Sequence, residues 1–379
     1  MAPLVLLAML AAVACGPRAS DYVSDEAHGP SGAPGADELR RAGELAPVGE
    51  LTGRIEGGGA TFPNTLFGDW LFEYGDGRSG VASQPGAQVD YQSIGSGGGI
   101  EQFLRGTVDW GTSERYLRDD DLAVAEARRG CEAIQVPVVF GSVVIGFQND
   151  DLDGMVLDAA AVADIFSRDI TNFADERLAE LNPDMDLPDQ QIVPVHRADG
   201  SGTTSVFTTW LEDEDPDWAD EYGSGTEVNW APGTLGGDGN EGVAAGIEQN
   251  PGGVGYVNQS YADVLGMAQA RVVNADGNAV YPTLEATTEA IEELEIPDDF
   301  QFDILGVGGE GFPITGTVWN FFYTCGYDAE TADALVEFWS WATQSEEADE
   351  TARALGYAPL GESLKEQVQE AIERINEND

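Results

Sequence analysis

Hydrophobic positions in this chain follow two rhythms that alternate along its length. Short apolar, strand-like runs occupy residues 88–92, 133–140, 143–147, 192–196 and 253–257. Between them stand stretches with apolar residues at helical spacing. Leu66, Phe67, Trp70, Leu71 and Tyr74 form one stripe, Ile100, Phe103 and Leu104 a second, and Val206, Phe207, Trp210 and Leu211 a third. Strand-like runs alternating with helical stripes predict an α/β protein. The C-terminal part reads as helical: Ala332, Leu335, Val336, Phe338 and Trp339 share one face within 329–344, and Leu364, Val368, Ile372 and Ile375 line another. The folded pattern begins near Arg54, and no repeat interrupts it.

Ahead of Arg54 the rhythm is different. Residues 1–14 hold an unbroken apolar run, too short to span a bilayer and suited to the core of a signal peptide. Small residues precede Cys15, as in a bacterial lipobox, where the cysteine becomes the lipidated N-terminus after cleavage. No Lys or Arg precedes the run. Residues 15–50, rich in Gly, Pro, Ala, Ser and charge, read as a lipid-anchored flexible tether. The expected location is the periplasm or cell surface, with the membrane reached only through the lipid. Cys131 and Cys325 remain; they pair as one disulfide or stand as two buried free thiols, and buried thiols are common core residues.

Charge changes the picture next. The chain has 379 residues, 69 acidic and 17 basic, for a formal net charge of -52. Lys365 is its single lysine. No basic footprint exists to displace counterions from nucleic acid, which excludes general nucleic-acid binding. A carboxylate-coated surface suits a protein dissolved in concentrated salt, where the Debye length falls to about 3 Å at 1 M.

Candidate chemistry lies where strand runs meet helical stripes. The first such place is Gly-Gly-Gly-Ala-Thr-Phe-Pro at 57–63, with Pro63 suited to a first helical turn and Thr61 near the N-cap. The second is Gly-Ser-Gly-Gly-Gly at 95–99, with Ser96 as the natural N-cap. The third is Arg-Ala-Asp-Gly-Ser-Gly-Thr at 197–203, with Ser201, Gly202 and Thr203 at a helix start. Each exposes unpaired N–H groups at the positive end of a helix dipole, with a hydroxyl beside them. Together they point to one oxyanion held by several helix N-termini with little formal positive charge. The phosphate loop of nucleotide-binding proteins is excluded, because its lysine is missing. Residues 119–121, three aspartates, fit no calcium loop and read as a solvated acidic run. His28 and His196 have no catalytic pattern near them, and neither a metal nor a cofactor is expected.

At these residues the chain resembles the periplasmic phosphate-binding proteins that feed the high-affinity phosphate ABC transporter. The matching segments are 57–63, 92–99, 107–113, 197–203, 235–245 and 251–256, in the family's order and spread over about residues 54–379. The resemblance implies a two-lobed periplasmic-binding-protein fold of type II, with the ligand cleft between the lobes. Residues 51–145 and 283–379 would form lobe I and residues 146–282 lobe II, hinged near 143–147 and 280–283. It implies inorganic phosphate as ligand, a membrane permease as partner and a monomeric chain. The implied phosphate ligands are Thr61, Phe62 through its backbone N–H, Ser96, Glu114, Arg197, Ser201, Gly202 and Thr203, with Asp199 orienting the arginine.

Glu114 stands where the family pattern usually has Asp. Monohydrogen phosphate keeps one O–H to donate and sulfate has none, so a cleft carboxylate accepts from the first and repels the second. The planar fork of Arg197 fits an oxyanion bidentately. Two other readings use the same site: a phosphatase-like enzyme, against which stands the lack of a hydroxyl–His pair or a metal cluster, and a binder of sulfate or molybdate, against which stands Glu114.

Overall fold

The structure, a computed structural model, describes residues 54–75, 88–292 and 294–377. The signal segment 1–14, Cys15 and the tether 15–50 lie outside the described residues. Twelve strands are defined among the described residues: β1 (Arg54–Gly59), β2 (Gln88–Ser93), β3 (Trp110–Ser113), β4 (Ala133–Phe147), β5 (Val156–Leu157), β6 (Val193–Arg197), β7 (Leu235–Gly237), β8 (Gly253–Asn258), β9 (Ala268–Gln269), β10 (Arg271–Val273), β11 (Ala279–Val280) and β12 (Thr315–Tyr323).

The main sheet runs β2-β1-β3-β12-β4-β8-β6-β7, with β9 also paired to β4; β11, β10 and β5 form a small separate sheet. Its two ends are parallel, β2-β1-β3 on one side and β8-β6-β7 on the other. The middle is antiparallel: β12 pairs with β3 and β4, and β4 with β8. The two apolar runs at 133–140 and 143–147 are one strand, because Gly141 and Ser142 continue the ladder. All fifteen residues of β4 are buried. Its first part, Ala133 to Ser142, pairs with β12, and its last part, Val143 to Phe147, pairs with β8. β4 therefore joins the two parallel ends.

β12 is a strand that the apolar rhythm did not reveal. Its nine residues are all buried, so both faces are covered and no polar alternation marks it. Its register also decides the cysteines. Ala133 of β4 faces Tyr323 of β12, which brings Cys131 and Cys325 to either side of the ladder's end, with Cα atoms 6.0 Å apart. They form a disulfide, and the reading as two free thiols is corrected.

The helices follow the stripes. In the helix Asn64–Gly75, Leu66, Phe67 and Trp70 are buried; Phe67 stacks on Trp70 and meets Trp339 of the helix Ala329–Gln344 edge-on, and Trp110 meets the same Trp339. The aspartates at 119–121 form the first turn of the helix Asp119–Arg129, where carboxylates complement the dipole, and Asp121 pairs with Arg115 at 2.9 Å. Lys365, on the helix Glu362–Ile372, is buried and bonds Asp349 at 2.7 Å. Among the described residues no helix is long and apolar enough to cross a membrane.

Candidate functional site

Five strands deliver the candidate residues from their C-terminal ends, the side of a parallel sheet where helix N-termini and loops gather. β1 leads into Thr61 and Phe62, β2 into Ser96, β3 into Glu114, β6 into Arg197 and the turn to Thr203, and β7 into Asn240. Thr61, Phe62, Ser96, Glu114, Arg197, Ser201, Gly202 and Thr203 are all buried, although most are polar. Burying so many polar groups is costly unless each finds a partner.

Two turns from opposite ends of the sheet touch here. The Gly97 N–H donates to the Gly200 carbonyl at 2.9 Å. A side chain on Gly202 would overlap the Glu114 carboxylate, and one on Gly95 would overlap Asp199. Gly95 has φ 83°, the left-handed region that glycine tolerates best, and it takes the N-cap of the helix Ser96–Arg105. The expectation of Ser96 as N-cap is thus corrected. Its hydroxyl does not cap the helix and instead donates to Glu114 Oε2 at 2.6 Å. Ser201 does cap its helix, Gly202–Glu214, accepting from the Thr204 N–H at 3.0 Å. Thr61 precedes the helix Asn64–Gly75 by more than a cap position, since the chain makes a turn over 61–63 first.

Arg197 is held on three sides. Its Nε donates to Asp199 Oδ1 at 2.8 Å, its Nη2 to Asp199 Oδ2 at 2.5 Å, and its Nη1 to Thr203 Oγ1 at 3.3 Å. Asp199 therefore orients the guanidinium by a bidentate pair, and the remaining guanidinium N–H groups have no hydrogen-bond partner among the described residues, which leaves them to meet an anion. Burial alone would lower the arginine's pKa; the Asp199 pair outweighs it and holds the cation firmly protonated. Burial likewise pushes Asp199 up, and the same pair pulls it below the usual carboxylate range.

Glu114 has the opposite balance. Burial pushes its pKa up to about 7, against the lowering effects of the Ser96 bond and the Arg197 charge. It also borders a cavity of about 20 Å³ whose lining mixes apolar groups, among them Val206, Trp210 and Trp319, with the polar side chains of Asp303, Thr315 and Thr317. Oε1 has no partner among the described residues. With Glu114 ionised, the charges of Arg197, Asp199 and Glu114 (+1, −1 and −1) sum to −1.

Sequence reasoning named these residues but missed Asn240. Its Nδ2 donates to Thr61 Oγ1 at 2.8 Å and to Thr203 Oγ1 at 3.1 Å, and its backbone N–H reaches the same Thr61 oxygen at 3.1 Å. The available signal was a fourth glycine-rich turn before a helix, Gly-Asp-Gly-Asn-Glu-Gly at 237–242. Tyr261 and Tyr357 were also missed; their hydroxyls donate to the Thr61 and Phe62 carbonyls at 2.7 and 2.6 Å. His196 stands apart from the hydroxyls. Its ring stacks on Trp230 with centroids 4.7 Å apart, and its Nδ1 lies 2.8 Å from the Arg197 carbonyl.

Glycine-rich turns gathered from two parallel ends of one sheet are the architecture of a solute-binding protein, and residues 36–347 match the PBP superfamily domain. The chain is 35% identical over 321 residues to the phosphate-binding protein PstS of Xylella fastidiosa strain Temecula1, covering 83% of this chain and 84% of that one. It is 30% identical over 341 residues to the phosphate-binding protein PstS of Methanocaldococcus jannaschii, covering 84% and 85%. In fold it is similar to a high-affinity periplasmic phosphate-binding protein solved with phosphate bound, with a TM-score of 0.70, 24% identity, and coverage of 84% of this chain and 93% of that one. The chain belongs to the PBP superfamily and, within it, to the family of the phosphate-binding protein PstS. It has the type II periplasmic-binding-protein fold of that family.

Proposed function

We propose that the protein captures inorganic phosphate outside the cytoplasmic membrane and hands it to the membrane permease of an ABC transporter, with no chemical change to the ligand. The observation that carries the reading is Glu114: a buried acceptor, set against Arg197 and the Ser96 hydroxyl, in a cluster whose other carboxylate, Asp199, is already bound to the guanidinium. Thr61, Ser96, Ser201, Thr203 and the N–H groups of Phe62, Gly202 and Thr203 would surround the anion, Ser201 through its side chain because its N–H is held by the Thr226 carbonyl at 2.9 Å, and Arg197 would supply the formal positive charge. A fully deprotonated anion meets an ionised carboxylate in a cluster that is already net negative. A protonated one offers Glu114 its O–H. Leaving a buried polar group unpaired supports discrimination of about 10⁴.

Capture would proceed by closure of two lobes, residues 51–145 with 283–379 and residues 146–282. The passage of β4 from β12 to β8 at Ser142 and Val143 supports a hinge there. The chain would act as a monomer, tethered through a lipidated Cys15 and 15–50. Calorimetric titration of the purified chain with phosphate, arsenate and sulfate tests the reading. Phosphate should bind at micromolar concentration or tighter and sulfate weakly; tight sulfate binding without phosphate binding would overturn it.

A further inference from the structure

Thr61 and Phe62 are joined by a peptide with two useful ends. Its carbonyl, on Thr61, accepts the Tyr261 hydroxyl at 2.7 Å and, at the longer distance of 3.2 Å, the Asn64 N–H of its own turn, so Tyr261 supplies the shorter bond and the one from outside the turn. Its N–H belongs to Phe62. No peptide bond among the described residues is cis, and in a trans peptide the N–H points opposite to the C=O. Fixing the carbonyl therefore fixes where the Phe62 donor aims. Tyr261 lies on the helix Gln259–Leu265, which follows β8, whereas Thr61 follows β1 at the other parallel end of the sheet. Asn240, also from the β7–β8 side, holds the Thr61 hydroxyl of the same residue.

The neighbouring peptide provides an internal contrast. Tyr357 donates to the Phe62 carbonyl at 2.6 Å, but that peptide ends on Pro63, which has no N–H. Tyr357 also reaches Asn258 Oδ1 at 2.9 Å and Ser260 Oγ at 3.0 Å, and it is fully buried. Two tyrosine hydroxyls thus hold two successive carbonyls, and only one of them can orient a donor.

We infer that Tyr261 is a positioning residue for the anion site: it aims the Phe62 N–H by holding the far end of its peptide, and it does so only when the two ends of the sheet meet, which couples the donor to closure. This rests on the phosphate reading of the same cluster. Burial, and then the charge of Glu241, raise the Tyr261 phenol far above its ordinary pKa, so it stays a donor across the working range.

The test compares Tyr261→Phe and Tyr357→Phe in the full chain, by phosphate calorimetry, stopped-flow tryptophan fluorescence of phosphate release, and thermal melting. Tyr261→Phe should weaken phosphate about tenfold, mainly through faster release, the loss of one hydrogen bond. Its preference for phosphate over sulfate should stay that of the parent, since Glu114 is untouched. Tyr357→Phe should lower the melting temperature while changing affinity by less than about twofold. Incorporating 3-fluorotyrosine at 261, a stronger donor of the same shape, should tighten binding, and that arm decides the matter if Tyr261→Phe fails to fold. Affinity in Tyr261→Phe within about twofold of the parent, equal weakening by both phenylalanine variants, or no tightening by the fluorinated residue would overturn the inference alone. A parent chain that binds no phosphate would overturn the phosphate reading along with it.

Discussion

Ser96 and Ser201 stand at equivalent places, each in a Gly-Ser-Gly turn where a parallel strand hands over to a helix. Ser201 does what such a serine ordinarily does and caps the helix, accepting from the Thr204 N–H at 3.0 Å. Ser96 gives up the cap to Gly95 and donates to Glu114 at 2.6 Å. The turns share the Gly-Ser-Gly triplet and differ in their neighbour. A carboxylate arriving at the end of β3 takes the Ser96 proton, and the Glu114 N–H lies 3.4 Å from the same oxygen, so the hydroxyl turns to Glu114 and not back to its own helix. The same Gly-Ser-Gly triplet therefore settles on different bonds when the tertiary surroundings put an acceptor beside one hydroxyl.

Removing the charge of that acceptor should blunt the difference, and it carries the largest expected effect. Glu114→Gln should weaken phosphate and relax the rejection of sulfate, a combined change in preference of about 10³-fold or more by calorimetric competition. The parent should move the same way with acid. Because burial raises Glu114 to about 7, protonation below that pH turns it into a donor, and sulfate should bind more tightly as pH falls through 7. Stability has a matching sign. In the ligand-free protein the contribution from a neutral Glu114 is full below its ordinary 4.5 and is lost as pH rises through about 7, a slope that Glu114→Gln should remove from pH-dependent melts.

Forcing the turns apart comes next. In Gly202→Ala the new Cβ would overlap Glu114 and crowd Ser96, so closure should suffer and phosphate affinity fall by about 10- to 100-fold. Separating the two serines is a smaller experiment. Ser201→Ala loses a helix cap and should cost about 1 kcal/mol of stability by denaturant titration. Ser96→Ala loses no cap and should leave stability closer to the parent. Its signature should be a Glu114 pKa pushed higher still, since the Ser96 bond lowers it, as read by carboxylate NMR. The smallest effect should come from salt. A net charge of -52 repels phosphate at long range but acts only weakly inside the buried cluster. Association rates should therefore rise as salt is added, while the contrast between the serines persists. Association fastest at low salt would remove the basis for reading the charge as an adaptation to brine.

Much of this was legible in the chain. The runs at 88–92, 192–196 and 253–257 fall within β2, β6 and β8 or overlap them closely, because the last two are short and largely apolar and the first alternates polar and apolar residues. Thr61, Ser96, Glu114, Arg197 and Thr203 converge, since glycine-rich turns at the ends of parallel strands are delivered to one side of a sheet. What escaped was non-local. β12 carries no polar alternation because strands flank it and both faces are covered. The Cys131–Cys325 bond depends on the β4–β12 register, across a separation of 194 residues. Asn240 and Tyr261 find Thr61 from 179 and 200 positions away; the glycine-rich turn at 237–242 marks the place of Asn240 but not its partner, and no local pattern marks Tyr261. The Ser96 cap was misjudged for the same reason: propensity alone does not register a competing acceptor.

The single lysine has a chemical consequence of its own. Lys365 is 6% exposed and tied to Asp349, so the only ε-amine in the chain is withdrawn from the surface. Acylating dyes, aldehyde fixatives and amine-directed crosslinkers have no lysine to attack on the folded molecule. Reactivity at Lys365 would consequently report unfolding of the C-terminal helices, a built-in footprint of their opening.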